Sequence, residues 1–429
     1  MSSSLLEILG CKRFTSFINL KEGTAGDLDP HVETPEKPLK LPSGIERLAE
    51  AFKKSKEVPL AKEVDSKAGG EKNVTMKSKK LFVVGGAVRD FLLGHTPSNF
   101  DLATDAHPDE VERICLNAKP AIQVLKKDAK GGTVRVSVEG ETYDIETMRL
   151  PMGKENSTTF TTNPGEDSTR RDVTINSLYY EISSKKIYDY TGGLRHLKDG
   201  AVKFIGRPED RIAEDGMRKY RYARMLNKVP GATADKETKD AIVKHQSDGD
   251  DLPPEKIRDE FWRGMEDLHS NAVRYLKTYQ DLGLLQTVFP KLELSLDFPD
   301  CKTCKSRPIV LASLLKNNKP QKLVDTLKEL KYSDGEIKNA VFLINLLLFK
   351  PEYVYEFKKQ LLKSSLTKRQ IMDWVKMNKL DAEIIEKLVD HKLSVNPSET
   401  SEKEGLQGDD LQNRVGGLEA KAFMKSMRS

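Results

Sequence analysis

The stretch that most constrains the fold is 81–105, LFVVGGAVRDFLLGHTPSNFDLATD. Four apolar residues, Leu81 to Val84, read as a buried strand. Gly85 and Gly86 follow at once, and paired glycines let a backbone approach a ligand without a side chain in the way. Ala87 to Leu93 is apolar at helical spacing and stops at Gly94. A helix that starts beside Gly86 aims its free N–H groups and positive dipole end at an anion, most naturally a phosphate. Asn99-Phe100-Asp101-Leu102-Ala103 alternates polar and apolar and reads as a second strand. By itself, the pattern also fits a plain strand-to-helix turn in any α/β domain.

Further along, Thr133 to Val138 and Thr142 to Thr147 alternate strictly and read as an antiparallel hairpin turning through Glu139-Gly140. Alternation puts Asp144 and Glu146 on one face of the second strand. Residues 150–168 are polar, with Gly153, Asn156, Pro164 and Gly165, and read as a long loop near the site. From about residue 230 the periodicity is helical throughout.

Three more stretches decide between the readings: RRDVTINSL from Arg170, DYTGGL from Asp189 running on to GRPE at Gly206, and EDGMRKYR from Glu214. With GGAVRD, and in this order, they resemble the class II nucleotidyltransferases: the tRNA CCA-adding enzymes and the bacterial-type poly(A) polymerases. The resemblance is close over 81–293 and looser in the tail. It implies an α+β fold, with a nucleotidyltransferase palm of mixed or antiparallel sheet and helices, then an all-helical neck, body and tail. The expected divisions are an N-terminal extension 1–80, a head 81–206, a neck 207–292 that binds nucleotide and RNA, a body 293–393, and a linker with a small tail module 394–429.

The same resemblance implies the chemistry. Template-independent nucleotidyl transfer uses Mg²⁺ held by hard carboxylate oxygens to acidify a 3′-hydroxyl and neutralise the α-phosphate. The implied catalytic and metal positions are Asp101, Asp144 and Asn99. Asn99 departs from the family, whose D-x-D pair has a carboxylate there. An amide oxygen can ligate Mg²⁺ but carries no charge, which weakens the attraction. The implied nucleotide-binding positions are Gly85, Gly86, Arg89, Arg171, Asp172, Asn176, Asp215, Arg218, Arg221 and Arg224. Asp215 and Arg218 are neighbours on a helix, so an acceptor and a donor face a base together. A solvated surface ion pair is the plainer account of those two. The expected partners are RNA, namely a tRNA 3′ end, with CTP and ATP. The alternatives are a poly(A) polymerase, towards which Ile175 to Tyr180 and Leu197 to Gly200 lean, and a non-catalytic RNA-binding homologue motivated by Asn99.

Composition bounds the rest. The 429 residues are 37% hydrophobic and 32% charged, enough for two or three domains with modest cores. A formal charge of +5 does not establish RNA binding, although 71 Lys and Arg residues build a basic face if clustered. No apolar run reaches membrane-spanning length and no signal segment opens the sequence. The expectation is a cytoplasmic protein, with neither membrane nor DNA as a partner. Cys301 and Cys304 pair in spacing, but Cys11 and Cys115 are isolated, so reduced structural thiols are expected rather than zinc. Residues 1–25 hold a short amphipathic patch from Leu5 to Ile18, and 26–80 are poor in apolar residues. The extension is therefore expected to be disordered or loosely helical, and removable without loss of stability.

Overall fold

The computed structural model describes residues 29–57, 59–64, 71–75, 78–151, 158–246, 252–265, 272–295 and 306–428. The chain divides into two compact units, Met1–Arg218 with Val229–Ile242, and Lys219–Lys228 with Val243–Ser429.

The first unit is built on an eight-stranded mixed sheet. Its strands are β1 (His31–Glu33), β4 (Leu81–Val84), β5 (Asp101–Thr104), β6 (Gln123–Asp128), β7 (Thr133–Val138), β8 (Glu141–Thr147), β9 (Leu178–Glu181) and β10 (Lys186–Asp189). They lie in the order β1-β10-β9-β4-β5-β8-β7-β6. The one parallel pair is β5 with β8; the others are antiparallel. A separate hairpin joins β2 (Pro59–Val64) to β3 (Glu71–Thr75).

The unbroken apolar run of β4 follows from its central place, with all four residues buried. Leu81 and Val83 join Leu102, Val134, Val136, Ile145 and Tyr180 on one face. The helices Ser43–Lys53, Gly86–Leu92 and Pro108–Asn117 cover that face with Ile45, Leu48, Phe52, Val88, Val111 and Ile114. Phe82 and Val84 point the other way, into a much smaller cluster with Ala103, Met148 and Tyr179. That second, thinly covered face carries the site.

The turn between β7 and β8 falls on Glu139 and Gly140, both at positive φ (53° and 84°), the primed-turn geometry that matches strand twist. It fixes a register in which Arg135 lies opposite Asp144 and Thr133 opposite Glu146. DYTGGL proves to be a structural device. The buried Asp189 carboxylate accepts from the backbone N–H groups of Thr191, Gly192, Gly193 and Leu194. A Cβ on Gly193 would come within 2.3 Å of the Thr174 carbonyl oxygen, so only glycine fits there.

Part of the N-terminal extension departs from expectation. β1 adds an edge strand to β10, and the helix Ser43–Lys53 buries Ile45, Leu48 and Phe52 in the head core. Few apolar residues suffice, because the sheet supplies the rest of the hydrophobic surface. The amphipathic patch Leu5 to Ile18 lies outside the described residues.

In the second unit, Tyr220, Phe261, Tyr275, Tyr279 and Phe289 form an aromatic core. The segment 394–404, read as a linker, contains the helix Pro397–Glu404. The fully buried Glu419 on the last helix, Gly408–Arg428, pairs with His391 and accepts from the N–H groups of Ser394 and Val395. Cys115 is a buried free thiol whose pKa is pushed up to about 12 by burial, an inert structural cysteine. Cys11, Cys301 and Cys304 lie outside the described residues. No helix among the described residues is long and apolar enough to cross a membrane.

Phe52→Ala should lower unfolding free energy by about 3–5 kcal/mol, the usual cost of truncating a buried phenylalanine. A urea titration checks this. An unchanged midpoint would return the segment to the removable extension that its composition suggested.

Candidate active site

The register sets a row of side chains across five adjacent strands on the thinly covered face. Tyr179 on β9 pairs with Val84 on β4, and Val84 with Asp101 on β5. The parallel pairing Leu102 to Ile145 brings Asp101 beside Asp144 on β8, and Asp144 is opposite Arg135 on β7. The exposed Asp101 thus sits at the centre of the row.

Gly85 closes the row at the end of β4, at φ +72°. A Cβ placed there would lie 3.4 Å from Asp101 Oδ2 and 4.0 Å from Arg171 Nη1. A carboxylate, a guanidinium and a bare backbone therefore converge on one spot. Although Asp101 keeps solvent access, partial desolvation by the groups around it, followed by the Glu146 carboxylate, raises its pKa above the ordinary value; Arg171 works against that rise, and Asp144 adds to it. Desolvation and two like charges make Asp101 a group under electrostatic pressure that a cation would relieve.

Arg171 is held from behind. Its Nε donates to the Tyr179 hydroxyl at 2.9 Å and its Nη2 to Asp167 at 3.1 Å. Asp167 is fully buried, and accepts also from Arg170, the Arg149 N–H and the Tyr179 hydroxyl. Burial works to raise the Asp167 pKa, but Arg171 and Arg170 outweigh it and hold the group below its usual range. Asp167 was missed in the sequence because 150–168 reads as polar loop. The helix Pro164–Thr169 lies there instead, and the signal that could have found it is Asn163, which caps it, with Pro164 at its first position. Gly153 and Asn156 are outside the described residues.

The other expected positions divide. Asn99 is exposed just before β5 and has no hydrogen-bond partner among the described residues. Asp105 lies at the far end of β5, where it accepts from the Lys80 N–H, away from the row. Gly86 opens the helix Gly86–Leu92, and a Cβ on it would meet Arg89 Nη2 at 3.4 Å. Arg89 itself is 3% exposed and donates to Asn176 and Asp90, so it braces the site from below rather than facing solvent. Asp172 accepts from Arg218 Nε at 2.9 Å. Arg218 Nη1 donates to Glu214 and the Arg211 carbonyl, while its Nη2 has no partner among the described residues. Asp215 caps the helix Met217–Lys228 through the Met217 N–H. In the second unit, Arg224 is paired with Glu260 at 2.5 Å, and Arg221 is half-buried.

For Mg²⁺ the donor set fits in part. Asp101 and Glu146 are hard oxygen donors on neighbouring parallel strands whose charges oppose one another, as a cation site requires. Asp144 is engaged by Arg135, which donates to both of its oxygens and offsets its charge. No group of three His, Cys, Asp or Glu that could hold a metal occurs among the described residues.

Comparison with known proteins agrees with the four-motif resemblance. The family of the poly(A) polymerase head domain matches residues 81–203. The chain is 34% identical over 225 residues to poly(A) polymerase I of Escherichia coli O157:H7, covering 50% of this chain and 47% of that one. It is 36% identical over 173 residues to the CCA-adding enzyme of Bacillus subtilis, covering 39% and 42%. The chain thus spans about half the length of the curated relatives it matches. Among solved structures, the Bacillus stearothermophilus CCA-adding enzyme in complex with CTP shares the fold, with a TM-score of 0.59 at 21% identity over 82% of this chain and 94% of that one.

Because the Asp101 pKa is raised in the fold, its ionised form is less stable there than in the unfolded chain. Asp101→Asn should therefore raise the thermal midpoint at pH 7 in metal-free buffer. The gain should fade as pH falls through the raised native pKa and vanish below the ordinary carboxylate pKa of about 3.9. A destabilised variant at pH 7 would contradict the crowding of charge at this residue.

Proposed function

We propose that the chain is a class II nucleotidyltransferase that extends RNA 3′ ends without a template, adding CCA to tRNA from CTP and ATP. The observation that carries the reading is the convergence of Asp101, Arg171 and the bare Gly85 backbone on one open face. That arrangement offers a cation ligand, a phosphate-binding cation and room for a triphosphate. The relatives support the choice of substrate, since solved CCA-adding enzymes that share the fold are in complex with ATP and with CTP. Under this reading, 207–292 serve as neck, 293–393 as body and 394–429 as tail.

In the proposed reaction, Asp101 with Glu146 would hold Mg²⁺, which when bound supplies charge neutralisation at the reacting phosphate. Arg171, locked by Asp167 and Tyr179, offers Nη1 toward the spot beside Gly85 and braces a phosphate there. Arg89 and Asn176 keep the turn after β4 in place. Base choice falls to Asp215 and Arg218. Arg218 is fixed by Asp172 and Glu214, with the two N–H groups of Nη2 left to donate. Cytosine and adenine each present an amino donor beside a ring acceptor, which an Asp–Arg pair satisfies. Uracil and guanine set a carbonyl against the carboxylate, a buried mismatch that costs about 1–3 kcal/mol. Arg221 and Arg224 remain proposed nucleotide contacts of the second unit, Arg224 with its charge shared with Glu260.

The poly(A) polymerase reading shares every one of these groups, and a relative of that name is as similar as the CCA-adding enzymes. Incubating the full chain with tRNA lacking its CCA end, CTP, ATP and Mg²⁺ separates the readings. The expected product is CCA, lost in Asp101→Ala with folding intact. An A tail from ATP alone would select the poly(A) reading. Tight RNA binding with no extension would select the non-catalytic homologue. CTP and ATP should bind about tenfold to a hundredfold more tightly than UTP and GTP. Equal binding of all four would remove Asp215 and Arg218 from base reading.

A further inference from the structure

The carboxylate that the family pattern assigns to the metal site, Asp144, has a different partner here. Arg135 lies directly opposite it in the β7–β8 register. Arg135 Nε donates to Asp144 Oδ1 and Nη2 to Oδ2, both at 2.7 Å. This is the planar two-point fork that an arginine makes with a carboxylate and a lysine does not. It leaves neither oxygen of Asp144 open in the direction of Arg135, and the pair carries no net charge.

The same face is balanced elsewhere. Arg170 reaches Glu146 at 3.5 Å while its Nε is fixed on Asp167. At the other side of Asp101, position 99 is an uncharged asparagine. A pair of divalent ions about 3.5–4 Å apart repel each other strongly and need several carboxylates to hold them. This face has one carboxylate neutralised by an arginine and an amide where another carboxylate would stand. One departure is across the sheet from Asp101, on β8 and β7, and the other is two residues before it in the chain.

We propose that Arg135 is a built-in cation that takes the place of one of the two ions: it holds Asp144 and limits the face to a single divalent cation at Asp101. The inference rests on the metal-assisted reading of the site given above. Arg135 is a positioning residue, acting through Asp144. Its side chain is about half exposed, so the pair is not needed for folding, and its role is electrostatic. Asn99 is the matching change, because a second carboxylate beside Asp101 would draw in the second ion that Arg135 displaces.

Mn²⁺ titration of the full chain, followed by loss of the free-ion paramagnetic resonance signal, tests this without any turnover. Wild type should bind one Mn²⁺, and Asp144→Asn should leave the count at one while weakening the affinity, because Arg135 is left uncompensated. Arg135→Gln should bind Mn²⁺ about tenfold more tightly, through a freed Asp144 and one less positive charge. Asn99→Asp with Arg135→Gln should bind two ions, and Asp144→Asn in that background should remove the second. Thermal midpoints confirm that each variant is folded. Two ions in wild type, with one lost in Asp144→Asn, would overturn the role of Arg135 and leave the metal reading standing. Unchanged affinity in Arg135→Gln would also overturn it. No Mn²⁺ binding in any folded variant would overturn both readings.

Discussion

The fully buried carboxylate of Asp167 is the interaction on which the working face depends. It gathers Arg170, Arg171, the Tyr179 hydroxyl and the Arg149 N–H, and so ties β9, the end of β8 and the helix Pro164–Thr169 together. A lone buried charge would cost several kcal/mol, and four donors are what make it tolerable. The consequence is directional. Arg171 is held by Asp167 and Tyr179 so that its remaining nitrogen, Nη1, faces Gly85 and Asp101. Burial opposes the Arg171 charge, but Tyr179 and Asp167 outweigh it and keep the guanidinium protonated.

Around that anchor, the face is close to electrical balance. Asp101 is raised above its ordinary value by desolvation, then by Glu146 and Asp144, against Arg171. Asp144, by contrast, is held below its ordinary value by Arg135. Two carboxylates on neighbouring strands are therefore shifted in opposite directions, Asp144 down by the arginine across the hairpin and Asp101 up by desolvation and Glu146. Under the proposed function, such a split suits Asp101 as the group that takes the cation and Asp144 as the partner of Arg135.

Much of this was legible in the residues. The run LFVV read as a buried strand, and Glu139-Gly140 as the turn between two alternating strands. Both are local signals, and both fixed the register that builds the row through Asp101. The four ordered motifs carried the family resemblance, but not which motif does chemistry: DYTGGL serves to cap a helix on Asp189. What was hidden depends on contacts between distant residues. The helix Ser43–Lys53 looked too polar to matter because its core partners are thirty and more residues away. Asp167 sat in a polar stretch with nothing to mark it as buried. The fork of Arg135 on Asp144 needed the strand register before it could be seen, even though both residues had been placed in their strands. The segment 394–404 looked like a linker because Glu419, which anchors its start, comes later in the chain.

The central claim is that cation and triphosphate meet where Asp101, Gly85 and Arg171 converge. A crystal of the full chain with CTP and Mn²⁺, with manganese located by its anomalous signal, tests this most directly. The account predicts manganese at direct-coordination distance from an Asp101 oxygen, about 2.0–2.2 Å, with a phosphate oxygen beside the Gly85 backbone and within reach of Arg171 Nη1. Manganese away from Asp101, or CTP bound with its phosphates off this face, would contradict it.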